Sequence, residues 1–259
     1  VRSDAVTLPE DADARTAELA DGLRATLARI EEACGRAGRS PEEVTLVVVT
    51  KFFGAEDLAR LVRLGVRDVG ENRDQEAAAK ATAWPGHLPA GERGVAEEVR
   101  MHFIGQVQSK KAGSVAGYAD LVHSVDRLKL VGALDRGAQR HGRRLAVCVQ
   151  VDLDPVVEGG EPDAGRGGAH PDDLPELCAA VDQVERLDLA GLMTVAPPQV
   201  EPARAFAELA RVHAAVLAEY PGATMLSAGM SGDLEAAVTA GATHVRVGSA
   251  IMGARPPLG

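Results

Sequence analysis

Three groups of side chains in this sequence have types and settings that suit covalent or anion chemistry. Lys51 ends the apolar run of "VTLVVVTKFFG", residues 44–54, where an amine is out of place because lysine is among the residues least often fully buried. Walls of low dielectric, or a neighbouring cation such as Arg246, push such an amine toward its neutral form. A neutral amine attacks carbonyls to give a Schiff base. Arg246 in "HVRVG" alternates with Val245 and Val247 and so projects to the opposite face from them. A guanidinium on a covered strand needs an ion pair or a ligand. Ser231 in "SAGMSGDLEAAV" stands where a helix beginning near Gly232 would have its N-cap, while Gly248 and Ser249 of "VGSAIMG" offer close backbone approach and a hydroxyl. Amides, hydroxyls and a helix start together make a phosphate seat. Each feature has a plainer alternative: a lysine reaching solvent or neutralising Glu71 or Asp152, an arginine in a barrel salt bridge, a serine that only caps.

These residues need a scaffold that brings distant parts of the chain together. A helix is expected over roughly residues 9–37, with Leu19, Leu23, Leu27 and Ile30 on one face. After it, short apolar runs at 44–50, 66–69, 101–104, 120–123, 145–152, 187–193, 224–226 and 244–247 alternate with amphipathic stretches. Strict alternation implies parallel strands with helices outside. Eight units in 259 residues predict an α/β fold, a single (β/α)8 TIM barrel with an extra N-terminal helix. An open doubly wound sheet is the alternative. Residues 1–8 are read as a flexible N-terminus and 9–259 as the barrel domain. The Gly- and Pro-rich segments 82–94 and 153–171 are read as mobile loops. Active sites of such barrels lie at the C-terminal strand ends. Lys51 falls there, as do Asn72 in "GEN" and Ser227 and Met230 in "LSAGMSGD".

Composition removes several function classes. A net charge of −10 with 3% aromatic residues lacks the basic footprint and stacking platforms of a nucleic-acid binder. No run of about 18 apolar residues is present, so no membrane span is expected, and the acidic N-terminal stretch is not read as a secretory signal. Cys34, Cys148 and Cys178 have no short spacing and read as thiols of a reducing cytoplasm. His102 and His123 close adjacent strands, yet without an HExxH pattern they read as hydrogen-bonded structure in place of a metal site. "GRGG" at 165–168 lacks the Lys-Ser ending of a phosphate loop and reads as loop. The Lys110–Lys111 pair opens a helix, where the dipole disfavours cations, which hints at an anion contact near the mouth. A lysine beside a phosphate seat leaves two chemistries open: a cofactor-free Schiff-base aldolase, or pyridoxal 5′-phosphate (PLP), which brings its own aldehyde and phosphate.

The segments "VTLVVVTK", "GENRDQE", "MHFIGQVQSKK", "HSVD", "GLMTVAPP" and "LSAGMSGDLEAAVTAGATHVRVGSAIMG" together resemble, in order and through nearly the whole chain, the PLP homeostasis protein family, also known as the proline synthetase co-transcribed homologues. That family in turn resembles the barrel domain of alanine racemase. The resemblance implies a PLP-binding barrel without established turnover that acts in vitamin B6 homeostasis. It implies Lys51 as the aldimine-forming lysine, Arg246 facing the pyridine nitrogen, and Ser231, Gly248 and Ser249 on the phosphate. Asn72, Ser227 and Met230 would lie near the cofactor. PLP-requiring apo-enzymes would be partners, and the chain would be a monomer. Gly54, Lys110, Asp152, Ala228 and Ser249 depart from the family's usual proline, asparagine, asparagine, methionine and threonine. An arginine partner leaves the pyridine nitrogen unprotonated, which weakens the ring as an electron sink and suits a carrier. The alternative within PLP chemistry, an amino-acid racemase, needs a second base, and the only tyrosines are Tyr118 and Tyr220.

Overall fold

The structure, a computed structural model, describes residues 2–154 and 167–255. Eight parallel strands form a closed barrel in sequence order: β1 (Thr45–Val49), β2 (Asp68–Glu71), β3 (Arg100–Phe103), β4 (Leu121–Val125), β5 (Leu145–Gln150), β6 (Leu187–Met193), β7 (Met225–Ser227) and β8 (His244–Val247). β8 closes on β1, where Val47 stands opposite Arg246. The helices are α1 (Ala14–Ala37), α2 (Ala55–Arg63), α3 (Asp74–Ala83), α4 (Ala112–Tyr118), α5 (Leu128–His141), α6 (Leu174–Asp182), α7 (Pro202–Glu219), α8 (Leu234–Thr239) and the single turn α9 (Ser249–Met252). The (β/α)8 expectation holds, and the open-sheet alternative does not. No helix among the described residues is long and apolar enough to cross a membrane.

Alternation along each strand divides the side chains between two layers. Val48, Val69, Val245 and Val247 point outward into an apolar cluster shared with α1 and α2, and Val122, Val147, Val149 and Leu192 do the same on the opposite flank. The inward faces are different. His102, His123, Ser227 and Arg246 are all buried there, and Cys148, Met193 and Met225 form only a small apolar cluster. Branched apolar side chains usually fill this space. Two strands approach so closely at Gly191 (φ 152°) that a Cβ would lie 1.9 Å from the Met225 carbonyl oxygen, so only glycine fits.

α1 starts at Ala14, later than residue 9, because the Asp13 side chain caps it by accepting from Thr16 N at 2.7 Å. It ends at Gly38 in the left-handed conformation (φ 68°). Its buried face carries Leu19, Leu23, Leu27 and Ile30, and Gly22 sits flush on Ile251, where a Cβ would come within 2.9 Å of backbone. Two expectations need correction. β2 is not 66–69: Val66 N–H bonds to Leu61 O at 3.0 Å in the turn after α2, so pairing begins only at Asp68. Segment 82–94 is not a mobile loop but part of two 3-10 turns, Trp84–His87 and Ala90–Glu98. Trp84 and Leu88 are buried in the apolar cluster that α2 also lines, and those two large side chains outweigh the Gly and Pro content. Most of 153–171 lies outside the described residues, as do the first two residues of "GRGG"; Ala169 bridges to Val151.

Candidate functional site

The apolar run of β1 delivers Lys51 to the C-terminal rim of the barrel, and the backbone turns sharply there. Phe53 N–H bonds back to Thr50 O at 3.1 Å, and Phe52 between them has φ 72°. A bulky residue in the left-handed region is strained, and such strain collects at functional sites. It presents the Phe52 ring to three cations: Arg255 at 4.2 Å, Arg73 at 5.0 Å and Lys51 at 5.9 Å from the ring centre.

Lys51 is half-buried and makes no ion pair among the described residues. Glu71 does not neutralise it, because Glu71 belongs to Lys80. That pair is buried, with Glu71 1% and Lys80 6% exposed. Lys80 Nζ also donates to Thr50 O at 2.8 Å and Thr50 Oγ1 donates to Glu71 at 2.5 Å. The Lys51 amine is pushed below the ordinary lysine value, first by burial and then by Arg255 and Arg73. The expected neighbour was Arg246; the cations that act on the amine come instead from the chain after α9 and the start of α3. Arg255→Gln should therefore raise the Lys51 pKa and shrink its neutral fraction at a given pH. The pH midpoint of reductive methylation at Lys51, followed by mass spectrometry, should then move upward, and an unmoved midpoint overturns this assignment.

Lys51 opens into a cavity of about 310 Å³ with Arg246, Arg255, Ser231, Gly248 and Ser249 on its walls. Three cations and two hydroxyls line it, and no Asp or Glu does so among the described residues. Val49, Phe52, Phe53 and Ile104 supply an apolar surface. Ser249 Oγ and Ser231 Oγ converge to 3.5 Å, joining the loops after β7 and β8. Gly248 is needed for close approach, since a Cβ there would lie 3.2 Å from Val49 O. Ser231 is not an N-cap as expected. Asp233 Oδ1 accepts from Met230 N at 2.6 Å and winds residues 230–233 into a turn, so α8 starts at Leu234 after Asp233.

Arg246 spans the barrel axis and is 4% exposed. It donates to Ser227 Oγ at 2.6 Å and to Thr194 O at 2.8 Å, and it makes no ion pair among the described residues. The salt-bridge alternative therefore fails. Burial pulls its pKa down to about 10, against the attraction of Asp233 and Cys148. Met230 is exposed at the lip. Ser227 is fully buried beneath Arg246 and does not reach the cavity. Asn72 lines a different cavity of about 670 Å³ beside Gln106 and Lys111, and its Oδ1 is buried without a hydrogen-bond partner among the described residues. Lys111 pairs with Asp74 at 3.2 Å, which answers the charge misfit of the Lys110–Lys111 pair without an anion. No cluster of three or more metal-binding side chains exists among the described residues.

The donor set fits a small anionic guest with a flat apolar body and an electrophilic carbon: cations and hydroxyls for the anion, an uncharged amine for the carbon. Sequence reasoning missed Phe52, Arg73, Arg255 and the Glu71–Lys80 pair. The double Phe after Lys51 was the one visible signal; nothing marked Arg255, beyond the last strand.

Residues 21–256 match the model of the alanine racemase N-terminal domain family. A Mycobacterium tuberculosis protein named pyridoxal phosphate homeostasis protein is 44% identical over 247 residues, covering 93% of this chain and 94% of that protein. A crystal structure from Bifidobacterium adolescentis, of a protein described as unknown, superposes with a TM-score of 0.82 at 31% identity, covering 95% of this chain and 99% of that one. PipY of Synechococcus elongatus, solved with PLP bound, superposes with a TM-score of 0.71 at 33% identity, covering 87% of this chain and all of PipY (100%).

Proposed function

Because the chain belongs to the alanine racemase N-terminal domain family, and within it to the pyridoxal phosphate homeostasis proteins, we propose that its Lys51 cavity holds and releases PLP without substantial turnover. The observation that carries this reading is the meeting of Lys51, Ser231 and Ser249 around one cavity with no carboxylate among its described lining residues. Bound PLP supplies an aldehyde carbon for an amine and a phosphate dianion for donors. Lys51 is the residue that would attach it. Ser231 and Ser249 would donate to the phosphate, with Gly248 allowing the backbone to approach. Arg246 would donate to the ring nitrogen, and its permanent positive charge keeps a proton off that atom. Phe52 and Ile104 add apolar surface to the cavity beside Lys51.

A racemase would need a second proton carrier at the cavity. Tyr118 sits elsewhere, its hydroxyl buried and its pKa driven far up by burial and then by Asp74 and Glu71. Tyr220 follows the end of α7 and donates to Glu219 at 3.3 Å. Neither lines the Lys51 cavity. A holder therefore suits these residues better than a racemase, and the anion-binding hydroxyls suit PLP better than a cofactor-free aldolase. On the same reading the chain acts as a cytoplasmic monomer that passes PLP to apo-enzymes requiring it.

The test is retention. Ser231→Ala/Ser249→Ala should weaken PLP affinity by roughly 100-fold or more, since each of the two lost bonds to a charged group is worth about 1.5–3 kcal/mol. Attachment at Lys51 should persist at saturating PLP. Equilibrium dialysis measures the first and borohydride trapping the second. Unchanged affinity in the double variant removes the phosphate assignment.

A further inference from the structure

The buried polar side chains along the barrel axis form one connected line. Arg246 donates to Ser227 Oγ at 2.6 Å. His123 Nδ1 lies 2.8 Å from the same oxygen, and His123 Nε2 lies 2.9 Å from His102 Nδ1. His102 Nε2 reaches Asp68 Oδ1 at 2.8 Å. At the far end of the barrel, Arg100, whose side chain is 56% exposed, holds Asp68 through contacts of 2.7 and 3.0 Å. The line thus joins the cavity at the strand ends to solvent at the strand starts, through six residues from five strands.

Its direction follows from donor and acceptor counting. Ser227 accepts from Arg246, so its own hydrogen must go to another acceptor, and His123 Nδ1 is the one within reach among the described residues. His123 then carries its hydrogen on Nε2 and donates to His102 Nδ1. His102 in turn carries its hydrogen on Nε2 and donates to Asp68. Both histidines are neutral in this arrangement. Burial, followed by the nearby His102, Arg246 and His244, holds His123 well below the usual histidine pKa. Burial alone would raise Asp68, but hydrogen bonds from His102 and Arg100 keep it below its ordinary value and ionised. A one-way chain ending on a carboxylate is polarised along its length, which makes Ser227 Oγ a stronger acceptor than an isolated serine.

We propose that His123, His102 and Asp68 are positioning residues for Arg246: through Ser227 they hold the guanidinium in one orientation and so fix the edge it presents to the ring nitrogen of bound PLP. This rests on the PLP reading above and adds a part of the machinery that never touches the cofactor. The second anchor, Thr194 O, fixes the other side of the guanidinium.

Two measurements test it. Nitrogen-15 NMR of the wild-type chain without cofactor should find both His102 and His123 as the neutral Nε2–H tautomer. A hydrogen on His123 Nδ1 overturns the chain's direction and the proposal with it, whatever the variants do. Next, Ser227→Ala and Asp68→Asn are loaded with PLP beside the wild type. Both should still trap the label on Lys51 with borohydride, at near wild-type melting temperature. Their bound-cofactor absorbance band should shift and PLP release should speed up, by roughly 10-fold for Ser227→Ala, in line with loss of one hydrogen bond to a charged group. Ser227→Thr, which keeps the hydroxyl, should restore both. Band and release rate unchanged in a folded Ser227→Ala overturn this proposal alone; a wild type that takes no label overturns the PLP reading and this one together. If Ser227→Ala does not fold, the tautomer measurement decides.

Discussion

Lys51→Ala is expected to abolish borohydride-trapped labelling of the chain by PLP while leaving a weaker, dialysable association. The remaining lysines are poorly placed to substitute. Lys80 is buried against Glu71, Lys111 is paired with Asp74, and neither Lys110 nor Lys129 lines the cavity. Only Lys51 combines access to the cavity with a pKa lowered by burial and by Arg255 and Arg73. The unlabelled association should survive because Ser231, Ser249 and Arg246 are untouched. The variant should melt like the wild type, as Lys51 makes no ion pair among the described residues. Peptide mapping after reduction checks the result: one phosphopyridoxyl adduct on the Lys51 peptide of the wild type, none on the variant. Equal labelling of the variant would transfer the role to another lysine.

The second large effect is on stability. Lys80→Met should lower the folding free energy by about 3–5 kcal/mol, the usual cost of stranding one member of a buried ion pair. In a chain of this size that corresponds to a drop of roughly 10 °C in melting temperature. Glu71 would keep its bond from Thr50 Oγ1 but lose the one cation paired with it among the described residues, in a place where it is 1% exposed. Lys80→Met/Glu71→Leu should recover much of the loss, because no charge is then left unpaired. Both variants should hold PLP less firmly, since Lys80 also bonds the carbonyl of Thr50, the residue before Lys51. Thermal unfolding of the single and double variants decides, and equal destabilisation by the two would refute the stranded-charge account.

The barrel was legible because its signals are local and repeated. The run 44–50 is rich in β-branched residues and the run 187–193 in Leu and Met, and β6 and β8 have the boundaries their patterns imply. β2 was misplaced because Val66 is as apolar as a strand residue, while Asp68 and Glu71 hide the strand's true span. Their carboxylates are paired with His102, Arg100 and Lys80 from distant positions, and no local pattern reveals such partners. The cavity was legible in outline from residue type, as Lys51, Arg246, Gly248 and Ser249 had to meet at one rim once the barrel closed. Ser227 and Asn72 sat in the right segments, but side-chain direction places one under Arg246 and the other in a separate cavity. Phe52, Arg73 and Arg255 act through a backbone twist and a chain tail, neither of which has a periodicity to read.

The division between outward Val, Leu and Phe and inward His, Ser and Arg has a broader consequence. Cohesion resides in the girdle between strands and helices, whereas selectivity toward a guest resides in a narrow hydrophilic spine. Substitutions along that spine can retune the grip on a visitor without loosening the girdle. Such a scaffold can yield descendants with different binding habits long before any of them loses the ability to fold.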